Sequence, residues 1–193
     1  MATRTFIAVE LSEEARAALR RELARLARAL PSVRWAAPES LHLTLAFLGG
    51  LDDDQLAEAT AAAEETAASA SPFTLRIEGL GTFGPPHAPR VVWAGLAGDL
   101  RALTAVQGRL ARALEARGFP PDERPFAPHI TLTRLKDRLA SDALQRLASL
   151  VGSPSPAKAP LPVHALAVMK SDLLRSGAVY TRLRECPFGR QAG

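Results

Sequence analysis

The 193-residue sequence predicts an α+β fold, formed by one domain that spans residues 1–193. Two observations favour this class. Short stretches in which apolar and polar residues alternate, as on a half-buried strand, are interspersed with longer stretches of helical apolar periodicity. In addition, one four-residue motif occurs twice, at residues 42–45 and 129–132, in strands that we place at the centres of two similar lobes.

The first part of the chain is predicted to alternate between strands and helices. Residues 6–11 alternate and contain β-branched side chains, which predicts a strand. Ser12, followed by two glutamates, starts a helix that Pro31 ends. A second strand is expected at 41–48, ended by two glycines. A second helix is expected at 52–69, where three aspartates suit the positive end of the helix dipole.

The remaining elements follow the same patterns. Further strands are predicted at 73–78, 90–96, 129–135, 163–170 and 178–183, and further helices at 99–117 and 141–150. The segment 84–89 is rich in glycine and proline and predicts a turn. The segment 152–162 is predicted to be a flexible connector. The chain therefore alternates seven strands with four helices.

The repeated motif reads His-apolar-Thr-apolar: His42-Leu43-Thr44-Leu45 and His129-Ile130-Thr131-Leu132. On a strand, residues i and i+2 share a face, so each motif presents an imidazole beside a hydroxyl and buries two aliphatic side chains. Two copies with this full pattern arise by chance in roughly 0.1% of sequences of this composition. Two facing pairs would supply a general acid, a general base and two hydroxyl groups around one phosphate. The motif therefore predicts a phosphodiesterase site that works without a metal.

Other common chemistries lack their motifs. Cys186 is the only cysteine, so neither a disulfide framework nor a cysteine-based metal site is expected. The sequence contains no His-Glu-x-x-His motif and no cluster of carboxylates with metal-ligand spacing. Glycine-rich phosphate loops and the Gly-x-Ser-x-Gly elbow of serine hydrolases are also missing. We therefore expect neither a metal nor a cofactor.

The charge pattern suits a nucleic-acid partner. The net charge is +4, and all but three of the 24 cationic side chains are arginine. Arginine binds phosphate through two hydrogen bonds and stacks on bases, although a GC-rich coding bias would produce the same enrichment. No apolar run approaches the ~20 residues of a membrane span, and the N-terminus has too short an apolar stretch for a signal peptide. A cytoplasmic protein without membrane contact is expected.

Four segments of the chain resemble the 2H phosphoesterase superfamily. More closely, they are similar to the bacterial and archaeal RNA 2′,3′-cyclic phosphodiesterases, also called 2′-5′ RNA ligases. Residues 4–9 resemble the opening strand of that family, 33–49 the first motif with its context, 89–94 the middle strand and 124–134 the second motif. Ala46 departs from the pattern, because many relatives carry a basic residue there.

The resemblance implies a bilobal fold with pseudo-twofold symmetry, in which two sheets rich in antiparallel strands face a central cleft and helices lie outside. It also implies hydrolysis of RNA 2′,3′-cyclic phosphate ends to 2′-phosphomonoesters without a metal or cofactor, with a weak reverse 2′-5′ ligation. The partner would be an RNA or nucleotide that carries such an end, and the chain would act as a monomer.

The resemblance further implies roles for the motif residues. His42 would be the general acid that protonates the 3′ leaving oxygen, and His129 the general base that activates water. Thr44 and Thr131 would hold the non-bridging phosphate oxygens. Arg134 is a third candidate for phosphate binding.

The position of Arg134 leaves two alternatives open. It lies five residues after His129, so a regular strand would point it away from the imidazole, whereas a bulge or strand end would bring it back. Phe47 lies at the same offset from His42 and is either a core residue or a platform for a base. Phe126, in the proline-rich approach to the second motif, is a second candidate nucleotide contact.

Two further readings of the site stay open. The same chemistry would serve a small cyclic phosphate, such as an ADP-ribose cyclic phosphate, and oligonucleotide against mononucleotide turnover separates these substrates. The chain could instead be a binding module that recognises RNA ends without turnover. The two intact motifs argue against this alternative. His87 and His164 are expected to be solvated or structural.

Overall fold

The computed structural model describes residues 2–153, 155, 157–174 and 177–189. Eight strands, four α-helices and a short 3₁₀ turn at Pro38–Ser40 form within these residues. Their order along the chain is β1 (Thr3–Glu10), α1 (Glu13–Ala29), β2 (His42–Leu51), α2 (Asp53–Ala68), β3 (Phe73–Phe83), β4 (Val91–Gly98), α3 (Leu100–Glu115), β5 (Ile130–Arg134), α4 (Ser141–Val151), β6 (Ala159–Val163), β7 (Ala165–Leu174) and β8 (Gly177–Pro187).

The eight strands belong to one antiparallel sheet, in the order β6-β3-β4-β5-β2-β1-β7-β8. The prediction of two separate sheets is therefore wrong. The two motif strands, β2 and β5, lie side by side at the centre and are joined through the pair Leu43–Ile130. Beyond this pair, β5 bonds to the segment that precedes β2, where Ala36 N donates to Leu132 O at 2.8 Å. The single ladder pair is sufficient to connect the two halves into one sheet.

All four helices pack on one face of the sheet. The main core contains the aliphatic residues of both motifs, together with the apolar faces of α1, α2 and α3, and α4 packs on Val92 beside it. The predicted helix starts are confirmed by their caps. Ser12 Oγ accepts from Ala15 N, and Asp52 and Gln55 form a capping box at α2. No helix in the described residues is long and apolar enough to cross a membrane.

The segment 152–162 was predicted to be a flexible connector, and this prediction is wrong for its second part. Residues 159–163 form β6, an edge strand that pairs only with β3. Pro160 and Pro162 interrupt the usual strand pattern, but proline is tolerated on an edge because its missing N–H need not pair. Buried and exposed residues alternate along β6, as expected for an edge strand above the core. Residues 154 and 156 lie outside the described part.

Candidate active site

The pairing of β2 with β5 brings the two motifs together. Leu43 lies opposite Ile130 in an antiparallel ladder, and both side chains are fully buried in the main core. The residues on either side of this pair therefore project from the other face, and directly opposed residues share a face. That face carries no helix. If the register of the Leu43–Ile130 pair is extended by one residue in each direction, His42 falls opposite Thr131 and Thr44 opposite His129 on this face.

Both imidazoles are fixed by the same backbone contact. His42 Nδ1 lies 2.8 Å from Ser40 O, and His129 Nδ1 lies 2.7 Å from Ala127 O. A carbonyl oxygen only accepts, so Nδ1 carries the hydrogen in each ring and donates it. Nε2 is then the nitrogen that each ring presents for reaction, and it can hold or take a proton.

Two β-bulges occupy equivalent positions in the two halves. The pairing of β2 with β1 skips Leu45, and the pairing of β5 with β4 skips Leu132. Each bulge follows the motif threonine and adds one residue, so the residue five positions after each histidine returns to the motif face. Those two residues are Phe47 and Arg134. The bulge therefore turns Arg134 to the same face as His129, although the two are five residues apart. The positive charge of Arg134 acts on His42.

Phe47 is an exposed side chain, with 55% of its surface accessible. The alternative that Phe47 is a core residue is therefore wrong. The guanidinium carbon of Arg4 lies 4.9 Å from the centre of its ring, in a cation–π contact. Phe126, the other candidate nucleotide contact, is partly buried and packs against the main core. Its contact with a nucleotide stays a prediction.

Aromatic side chains surround the two histidines. The His42 ring lies 4.6 Å from Phe6 and 4.9 Å, edge to face, from Tyr180, measured between ring centres. The His129 ring contacts Phe83 edge to face at 4.8 Å and lies 6.4 Å from Trp93. Each imidazole therefore has its own aromatic wall.

The surroundings of His42 disfavour its charged form. Burial is the largest cause and lowers the pKa of the imidazole, since the cation loses hydration. The hydrogen bond to the carbonyl oxygen of Ser40 opposes this, because it stabilises the protonated ring. The positive charge of Arg134 and the facing imidazole of His129 lower the pKa further. The net effect is a His42 that gives up its proton more readily than histidine in water.

Sequence reasoning missed this aromatic shell. Its members come from β1, β3, β4 and β8 and lie far from either motif along the chain. β3 extends to Phe83, beyond the predicted end at residue 78, because Gly79 lies in a bulge with a φ of 81° and the ladder with β4 resumes at Leu80. Gly81 lies opposite Trp93, and a Cβ there would overlap the indole ring. A glycine at this position of a strand is a sequence signal that a large ring lies directly above it.

The other histidines lie outside this cluster. His87 is exposed in the loop between β3 and β4, and His164 is exposed between β6 and β7. Among the described residues, no group of three histidine, cysteine, aspartate or glutamate side chains could hold a metal ion.

Known proteins share these features of sequence and fold. The sequence model of the 2′-5′ RNA ligase superfamily matches residues 16–174. A Geobacillus stearothermophilus protein named RNA 2′,3′-cyclic phosphodiesterase is 41% identical over 129 residues, which are 67% of this chain and 41% of that protein. The chain thus spans less than half the length of that relative. An Aeropyrum pernix protein of the same name is 33% identical over 149 residues, 76% of this chain and 81% of that protein.

The fold agrees with the sequence comparison. The crystal structure of E. coli LigT complexed with 3′-AMP superposes with a TM-score of 0.79 at 26% identity, over 98% of this chain and 100% of that chain. The shared architecture is an α+β fold with a curled antiparallel sheet and four helices. Because the family model covers most of the chain and the fold matches over its full length, the chain belongs to the 2′-5′ RNA ligase superfamily.

Proposed function

We propose that this protein hydrolyses RNA 2′,3′-cyclic phosphate ends to 2′-phosphomonoesters by two-histidine acid–base catalysis. The observation that carries the proposal is the pairing of the two motif strands through Leu43 and Ile130, which brings both His-x-Thr motifs onto the helix-free face. Relatives with up to 41% identity bear the name RNA 2′,3′-cyclic phosphodiesterase. The activity of the whole protein is inferred from this site and from those names.

The proposed reaction needs two proton transfers on opposite sides of the phosphorus. Neutral His129 Nε2 takes a proton from a water molecule, whose oxygen attacks phosphorus in line with the bond to the 3′ oxygen. As this bond breaks, protonated His42 gives its Nε2 proton to the departing 3′ oxygen. The product carries a 2′-phosphate and a free 3′-hydroxyl group. Each positioned acid or base contributes roughly 10²- to 10⁴-fold to the rate.

The neighbouring side chains suit the charge that develops on phosphate. In the proposal, the hydroxyl groups of Thr44 and Thr131 donate to the two non-bridging oxygens, and Arg134 adds a cationic donor. Fixed donors of this kind stabilise the transition state, because they need not reorganise as the charge develops. The bulge that turns Arg134 onto the motif face supports its inclusion.

The proposed substrate is an RNA or nucleotide with a 2′,3′-cyclic phosphate end, bound in a cleft between two lobes related by pseudo-twofold symmetry. The matched bulges of the two halves support this symmetry. Because both motifs belong to one chain, we propose that a monomer of residues 1–193 is sufficient, acting in the cytoplasm. The two imidazoles supply both proton transfers, so the proposed reaction requires no metal or cofactor. A weak reverse 2′-5′ ligation belongs to the same proposal.

One assay tests the proposal directly. The protein is incubated in EDTA with an oligonucleotide that ends in a 2′,3′-cyclic phosphate, and the product isomer is identified by chromatography. We expect the 2′-phosphate product at an undiminished rate. A 3′-phosphate product, or turnover that stops on chelation and returns with a divalent ion, would contradict it. Turnover of cyclic mononucleotides alone would redirect the proposal to small cyclic phosphates.

A further inference from the structure

The walls around the two histidines are not equivalent. His42 is held between two rings, Phe6 at 4.6 Å and Tyr180 at 4.9 Å, which also touch each other edge to face at 5.1 Å. The three rings therefore form a closed triangle of contacts. Its members come from β1, β2 and β8, so the triangle exists only after these strands have joined the sheet.

The triangle rests on a small apolar cluster on the helix-free face. Phe6, Ala8, Ala167 and Met169 are buried there, and Tyr180 packs against them. The two alanines lie opposite each other on β1 and β7. Their short side chains leave room above the sheet for the larger rings. This packing gives Tyr180, a half-buried residue, a defined place next to the imidazole.

We propose that Tyr180 is a positioning residue for His42, and that with Phe6 it forms an aromatic clamp that fixes the imidazole and excludes water from it. The inference rests on the proposed function, because it assigns a task to residues around the same histidine. The clamp complements the bond from Nδ1 to Ser40 O: that bond sets the direction of the ring, and the two rings restrict its rotation and tilt. Tyr180 meets both other rings edge to face, a geometry that aromatic pairs favour, whereas Phe6 lies tilted against the imidazole.

Charged and titratable groups face His42 from the strands around it. Arg134 acts from β5 and His129 from the residue before that strand, and both lower the pKa of His42. Glu10 lies opposite His42 on β1, but its carboxylate is paired with Arg182 Nη1 at 2.8 Å. Tyr180 itself faces the ring from β8. The clamp therefore acts where a positive charge on His42 is already unfavourable. Removing the Tyr180 ring exposes the imidazole to water and leaves the carboxylate of Glu10 in place.

The test replaces Tyr180 with leucine and with phenylalanine. In Tyr180→Leu we expect the pKa of His42, followed by NMR of labelled histidine, to move up towards that of histidine in water. On a cyclic phosphate substrate, kcat should fall by about 10- to 100-fold with little change in KM, since a mispositioned acid costs mainly the chemical step. Tyr180→Phe keeps the ring and should restore both properties.

Val179→Ala is the matched control. Val179 precedes Tyr180 on β8 and projects from the opposite face, where it is 46% exposed. This variant should leave the pKa of His42 and kcat unchanged. An unshifted His42 in Tyr180→Leu would overturn the clamp, and so would a Tyr180→Phe variant as impaired as Tyr180→Leu, which would assign the effect to the hydroxyl group. The NMR measurement needs no substrate, so a failure of the proposed activity would not be mistaken for a failure of the clamp.

Discussion

The two halves of this protein share a backbone plan and differ in what surrounds it. In each half, a histidine donates through Nδ1 to the carbonyl two residues earlier, a threonine follows two residues later, and a bulge comes next. The side chain after the bulge is Phe47 in one half and Arg134 in the other. The wall of His42 is a clamp of two rings, whereas the ring in contact with His129 is Phe83.

The comparison shows how a duplicated scaffold supports two different roles. The backbone supplies two equally oriented imidazoles. The surroundings of His42 then lower the pKa of that imidazole, through burial and through the charge of Arg134. An acid and a base are needed for the proposed reaction, so an asymmetric wall around a symmetric frame is a suitable arrangement.

Removal of either imidazole should have the largest effect. We expect His42→Ala and His129→Ala each to lower kcat by roughly 10²- to 10⁴-fold with little change in substrate affinity, because acid and base act mainly in the transition state. The measurement is steady-state turnover of a cyclic phosphate oligonucleotide. The double variant should lose less than the product of the two single losses, since acid and base act as a unit.

His87→Ala and His164→Ala are the controls for these variants, because both histidines are exposed and lie outside the cluster. Both should remain near the wild-type rate. A control as damaging as His42→Ala, or a His129→Ala protein with most of its activity, would show that the assignment of the two motifs is wrong.

The two residues after the bulges should respond differently. Arg134→Gln removes a cationic donor to the developing phosphate charge, so we expect kcat to fall by about 10²-fold. Phe47→Ala should raise KM by about tenfold and leave kcat nearly unchanged, because base stacking contributes to binding of substrate and transition state alike. Kinetics of both variants on one oligonucleotide separate the two patterns. If Arg134→Gln and Phe47→Ala lowered kcat equally, the two halves would not differ in function at this position.

The threonines should give smaller and more similar losses. Thr44→Ala and Thr131→Ala each remove one neutral hydrogen-bond donor, so we expect about a tenfold decrease in kcat for each. Their similarity would follow from the symmetric frame, since each lies two residues after the histidine of its own motif. Turnover that is unaffected in both variants would indicate that the hydroxyl groups do not contact the phosphate.

The pH dependence of kcat/KM should be bell-shaped, because one imidazole must be neutral and the other protonated. The two apparent pKa values belong to the interacting pair rather than to single residues. Since the positive charge of Arg134 lowers the pKa of His42, Arg134→Gln should move the profile towards higher pH. A profile that is flat between about pH 5 and 9 would contradict catalysis by two histidines.

The smallest effect concerns stability. The pKa of His42 is lowered by folding, so the unfolded chain binds a proton at this site more readily than the folded chain. The stabilising contribution is therefore present above the unfolded pKa and is lost as the pH falls through the unfolded and then the folded value. Urea unfolding between about pH 5 and 8 should show a shallower acid loss in His42→Gln than in the wild type. An unchanged slope would mean that the folded structure does not disfavour the charged ring.

Much of the site was predictable because it depends on local periodicity. The alternation of His42, Leu43 and Thr44 determines that the imidazole and hydroxyl share a face, whatever the strand pairs with. The same holds for the second motif. Helix starts were equally local, since Ser12 and Asp52 cap the helices that follow them. The resemblance of the motif segments to one family then selected the chemistry.

The identity of the reactive side chains, and the face from which each motif presents them, thus follow from local sequence. The tertiary structure alone decided that Arg134 and Phe47 join that face, because a bulge is a property of a strand pair and cannot be seen in one strand. It also decided that β6 forms despite its prolines, as an edge strand, and that all eight strands make one sheet. The clamp of Phe6 and Tyr180 around His42 arises in the same way: its rings lie more than 170 residues apart along the chain, and only the pairing of strands brings them together.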